Sequence, residues 1–147
     1  GSIGQALIGD GAGNIGWGPV ASVGLQSRKT AQVTQSIASG AAANVSISTA
    51  KGFVLYSIET SHAAWVTLYT DTTSRTADAG RLETTDPTPG SGVLSEVITT
   101  GAVTQLITPG TICFNSSPTA TTYAKVVNKS GSTANITVTL TYVQIEN

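Results

Sequence analysis

The run "NITVTLTYVQIE", residues 135–146, decides the fold class. Ile136, Val138, Leu140 and Tyr142 fall on one side of a two-residue alternation, and Thr137, Thr139 and Thr141 fall on the other. That period turns one face of an extended strand toward a core and the other toward water. An antiparallel strand with one wet side is expected here.

The same texture recurs back along the chain. "QVTQSIAS" (32–39) and "NVSIST" (44–49) alternate around Val33, Ile37, Val45 and Ile47. "GFVLYSIET" (52–60) and "AWVTLYT" (64–70) are richer in β-branched and aromatic residues and read as central strands joined in a hairpin through "SHA" (61–63). Leu55-Tyr56 recurs as Leu68-Tyr69, an echo that suggests these two strands are neighbours. "VLSEVITT" (93–100), "TQLIT" (104–108) and "TICFNS" (111–116) follow as strands, with a turn expected at Pro109-Gly110. "TTYAKVV" (121–127) precedes a tight turn at 128–131. No window carries convincing helical periodicity, and the prolines lie outside the apolar runs. Eight or so short strands predict an all-β domain: an antiparallel β-sandwich, jelly-roll-like, with a closed barrel as the alternative.

The 147 residues suit one domain able to bury a core without staples. Only 10% are charged and the net charge is −1, which leaves no basic footprint for nucleic acid. The lone cysteine, Cys113, excludes an internal disulfide and reads as an inert buried thiol. No apolar run approaches the length of a membrane span, so no membrane insertion is expected. The chain begins Gly-Ser and contains no Met, which reads as a piece of a longer polypeptide.

The opening segment, 1–24, is glycine-rich, with Leu7, Ile8, Ile15 and Trp17 as isolated anchors. Its "GAGNIG" (11–16) matches the spacing of a dinucleotide-binding loop, but Gly18-Pro19 ends any helix at once and the next acidic residue is Glu59. These glycines are expected to turn the backbone and permit close packing beside Trp17. No cofactor is expected.

His62 is the only histidine, so no two-histidine metal site exists, and it reads as a residue of a hairpin turn. Residues 71–92 form a long polar connection, and loops of that length are usually functional or mobile. Asp71, Asp78, Glu83 and Asp86 lie in it, but their spacing fits neither a calcium loop nor a glycosidase pair. Arg75, Asp78 and Arg81 are spaced to staple the loop to itself through guanidinium-carboxylate pairs. The alternative is a ligand-contacting role, for which His62, Arg75, Asp78, Arg81 and Asp86 are the candidates. No acid, base or nucleophile set emerges, so no catalytic or metal-ligating residue is assigned. Tyr56, Trp65, Tyr69 and Tyr123 could form a sugar-stacking platform, but their place within apolar runs favours burial.

The leader "GQALIGDGAGNIGWG" (4–18) resembles the G-Q-x-L-x-x-D-G-x-G-x-x-x-W connector of bacteriophage tail-fibre and other virion fibre proteins. "AAWVTLYTDTTSRTADAGR" (63–81) and "GTICFNSSPTATTYAKVVNKSGSTANITVTLTYVQIE" (110–146) are similar to the C-terminal β-rich domains of cyanophage tail fibres. The resemblance implies a connector over 1–24 and a β-sandwich domain over 25–147. It implies a homotrimeric fibre-tip domain, in which Leu7, Ile8, Ile15 and Trp17 meet their symmetry mates. Its partner would be a bacterial surface glycan or lipopolysaccharide, and its place the virion, assembled in the bacterial cytoplasm and acting outside the cell. Two other readings are a carbohydrate-binding module of an enzyme or adhesin, using Trp65 or Tyr69 as a platform, and a purely structural virion part.

Overall fold

The computed structural model describes Ser2 and residues 5–9, 11–19 and 26–147. The expected division between residues 24 and 25, and Asp10 of the connector, lie outside the described residues.

Two short strands, β1 (Gln5–Gly9) and β2 (Ile15–Pro19), pair antiparallel across the glycine-rich turn. Gly11 and Gly13 adopt φ of 75° and 95°, the left-handed region that favours glycine. Gly16 does not turn the chain; it lies within β2 opposite Ile8. Close approach is instead required at Gly18, where a Cβ would stand 2.1 Å from Ile8 Cδ1.

The body contains β3 (Lys29–Ile37), β4 (Ala42–Ser48), β5 (Gly52–Thr60), β6 (Ala64–Tyr69), helix α1 (Thr72–Ala77), β7 (Val93–Ile98), β8 (Val103–Phe114), β9 (Thr121–Asn128) and β10 (Ala134–Glu146). They form two four-stranded antiparallel sheets, ordered β3-β10-β5-β8 and β4-β9-β6-β7. The first body strand pairs with the eighth, the second with the seventh, the third with the sixth and the fourth with the fifth. A single long two-stranded ribbon, folded over on itself, has this pairing.

The alternation in the last run holds: Ile136, Val138, Leu140 and Tyr142 are buried while the intervening threonines are half-buried. They join Phe53, Leu55 and Ile58 from their own sheet and Ile47, Val66, Leu68 and Val126 from the other in one apolar cluster. Each such side chain contributes about 1.5–3 kcal/mol by leaving water. Cys113 is buried within the cluster, and burial pushes its thiol up to about 12.

Three expectations are corrected. β5 and β6 are not hairpin neighbours, because residues 61–63 carry the chain from one sheet to the other. Pro109-Gly110 is no turn between strands. It lies inside β8, where residues 107–110 form an excursion between the pairs Leu55 with Thr111 and Ser57 with Leu106. The sheet edge leaves the proline without a ladder bond to lose; Gly110 fits because a Cβ would press within 2.7 Å of Val54. A helix also exists: Asp71 caps α1 by accepting the Ser74 amide N–H at 2.7 Å. Six residues are too few to display a helical period in the sequence.

The outer faces of the sheets differ. Trp65, Thr67 and Tyr69 on β6 are buried beneath the segment 71–92. On the other sheet the row Val143, Val54, Ile112 is contiguous across β10, β5 and β8, and the next row brings Leu106. Leu106 and Ile112 are 63% and 66% exposed. Arg28, just before β3, lies over the Tyr56 ring at 5.7 Å on this sheet.

Candidate functional site

The segment 71–92 leaves β6, forms α1, descends over the outer face of the second sheet and returns to β7. Its two ends are tied where the Thr70 amide donates to the Gly92 carbonyl at 2.9 Å. Gly92 adopts φ 82°, and a Cβ there would lie 2.2 Å from the Ser74 hydroxyl, so only glycine closes this seam. At its far reach the Lys129 ammonium donates to Glu83 Oε1 at 2.6 Å.

Beneath the segment lies an ionic cluster. Arg81 Nε donates to Asp78 Oδ1 at 2.7 Å, and its Nη2 donates to Glu96 on β7. Tyr69 donates its hydroxyl proton to Asp78 Oδ2 at 2.7 Å. Lys125 donates to the Asp78 carbonyl at 2.9 Å and lies over the Trp65 ring at 4.5 Å, with Arg81 over the same ring at 5.2 Å. Burial is the largest single influence on Asp78 and Glu96 and opposes their ionisation, yet the hydrogen bonds from Arg81, from Tyr69 to Asp78 and from Trp65 and Thr67 to Glu96, with the charges of Arg81 and, at Asp78, Lys125, together outweigh it, and both carboxyls titrate below the usual range. Burial and the bond to Asp78 push the Tyr69 phenol upward. These charges face one another and hold the segment on its sheet.

The five sequence candidates therefore do not form one site. Asp78 and Arg81 meet as a staple. Arg75 does not join them: it donates to the Val45 carbonyl at 2.9 Å and lies over Tyr123 at 5.4 Å. Asp86 is exposed on the rim of a hollow of about 280 Å³ that Asp78 and Arg81 also line. His62 lies at the other end of β6, exposed, its Nδ1 3.0 Å from the Ser61 hydroxyl. Trp65 and Tyr69 are buried and offer no platform, whereas Tyr56 is exposed and Tyr123 half-buried.

A second constellation joins residues that the sequence keeps far apart. Two adjoining hollows, of about 390 and 450 Å³, open beside α1 and share Asp71, Ser74 and Ser116. Asp71 Oδ2 accepts the Ser116 hydroxyl at 2.9 Å and the Thr70 hydroxyl at 3.0 Å. With the Ser74 amide N–H, these bonds bring the Asp71 carboxyl down to about 2. Asn115 fixes the neighbouring loop, donating to Thr119 Oγ1 and the Thr121 carbonyl and accepting the Ser117 amide. Phe114 and Leu94 wall one hollow and Tyr123 the other. The strand expected over 111–116 ends instead at Phe114, and Asn115 opens the loop. Among the described residues no three His, Cys, Asp or Glu side chains gather as a metal site.

No protein-family model matches the chain, and no curated protein and no solved structure matches it.

Proposed function

We propose that the chain is the attachment domain of a bacteriophage tail fibre, acting as a homotrimer that binds a bacterial surface glycan non-covalently. The strand order is the observation that carries this reading. Pairing of first with eighth, second with seventh, third with sixth and fourth with fifth strand supports a jelly roll, an architecture used by viral shells and lectins alike. Jelly rolls gather loops at the ends of the sheets, and loops on a rigid scaffold are the usual place for recognition. The hollows beside α1 lie on such loops.

Self-association draws support from uncovered apolar surface. A two-stranded hairpin is marginal alone in water, yet the leader exposes Leu7, Ile8, Ile15 and Trp17. Copies packed about an axis would cover these side chains and multiply a weak affinity for sugar.

Light scattering combined with adsorption to bacterial cells tests the proposal. The intact chain is expected to run at three times 14.9 kDa, and removal of residues 1–24 to give monomers. Adsorption is expected to be competed by extracted envelope polysaccharide. A monomeric chain that binds no envelope fraction would overturn it.

A further inference from the structure

Resting on the attachment reading, we propose that the paired hollows beside α1 are a subsite for an uncharged, hydroxyl-rich sugar ring. Their joint lining carries one charged side chain, Asp71. Among the described residues no Lys or Arg lines the space, and the Arg75 guanidinium over the Tyr123 ring is engaged by the Val45 and Ala124 carbonyls, so phosphate, sulfate or carboxylate on a ligand would meet the Asp71 charge with no cation in the lining to pair with. A neutral sugar meets no such opposition.

The floor is built to receive hydroxyls. A carboxylate offers roughly four acceptor positions, and three at Asp71 are filled by the Ser74 amide and the Thr70 and Ser116 hydroxyls. Those bonds, with a further one from the Ser74 side chain, fix the carboxylate at the centre of the floor and leave the ligand O–H groups to the exposed hydroxyls around it. Thr72, Thr73 and Ser117 add exposed hydroxyls on the same lining. The loop bearing Ser116 and Ser117 is already ordered by Asn115, so little entropy remains to be lost on binding. The α1 amides contribute nothing directly, because Asp71 already engages the Ser74 N–H.

The walls suit the other side of a sugar. Phe114 is 50% exposed where it lines the larger hollow. Tyr123 lines the smaller one, with the Arg75 guanidinium over its ring. Aromatic faces pack against the C–H face of a pyranose while side-chain hydroxyls take its O–H groups, the mixture typical of small-ligand sites.

The test uses the full-length chain on an array of neutral oligosaccharides and of counterparts bearing uronic acid or phosphate, together with adsorption to cells. Two variants leave the apolar cluster untouched: Phe114→Ala removes a wall, and Thr73→Trp fills the smaller hollow from an exposed position. Circular dichroism and the urea midpoint verify folding. The expected result is binding confined to neutral glycans, weakened at least tenfold by either variant, with cell adsorption lost in parallel. Preference for acidic glycans would overturn the assigned class. Unchanged adsorption by both folded variants would overturn the subsite while leaving the attachment reading intact. An intact chain that adsorbs to no cell and no glycan would overturn both.

Discussion

Arg81 is the residue on which the covered face of β6 depends most. It neutralises Asp78, reaches Glu96 and lies over Trp65. Arg81→Ala would leave Glu96 without its cation and Asp78 with Lys125 alone, 3.5 Å away, at a cost below the roughly 3–5 kcal/mol of a wholly uncompensated buried charge, measurable as a lowered urea midpoint. Acid should act through the same groups. Asp71, Asp78 and Glu96 all titrate lower in the folded protein than in the unfolded chain, where carboxyls ionise near about pH 4. Their contribution is complete above the unfolded values and is lost as pH falls through the folded ones, down to about 2 for Asp71. Urea titrations at pH 7, 4 and 3 should show a small change between the first two and a larger fall between the last two; a flat profile between pH 4 and 3 would contradict the assignment. The Asp78-Arg81 pair was legible because both members lie in one stretch, three residues apart. Glu96 and Lys125 were not, since each stands in an apolar strand whose partner arrives from elsewhere in the chain.

At the scale of elements, the segment 71–92 is clasped at its root. Gly92→Ala combines an unfavourable φ with contacts of 2.2 to 2.7 Å on Ser74 and Thr70. Strain of this kind costs on the order of 1–3 kcal/mol, and thermal melting should register it. Asp71→Ala should cost about 1 kcal/mol through the lost cap and free Ser116, whereas Asp71→Asn keeps the cap but has one acceptor oxygen in place of two and no charge, and should melt between Asp71→Ala and the parent. The strands were legible because burial on one face writes a two-residue period into each. Their partners were not, because period two is the same for a strand in either sheet. That is why the echo between Leu55-Tyr56 and Leu68-Tyr69 pointed to neighbours when the strands lie in opposite sheets. Pro109 misled for a related reason: a proline that breaks a central strand is harmless at an edge.

For the whole molecule, the all-β class followed from alternation and hydroxyl-rich composition, while the site beside α1 stayed hidden because its parts come from residues 70–74, 90–94 and 114–123. Among the described residues the apolar cluster draws on residues 31–142. A chain lacking residues 1–24 should therefore unfold cooperatively with an unchanged urea midpoint at low protein concentration, even where its association is lost. The placement of the seven basic residues has a further consequence. Arg75, Arg81 and Lys125 point into bonds with the body, and Lys129 is paired with Glu83. Arg28 and Lys29 stand exposed together where the leader joins β3. The seventh, Lys51, is half-buried in the short connection between β4 and β5, so trypsin would find its readiest cut at the exposed Arg28-Lys29 joint and a slower one at Lys51, the first detaching the glycine-rich hairpin and leaving the two four-stranded sheets whole.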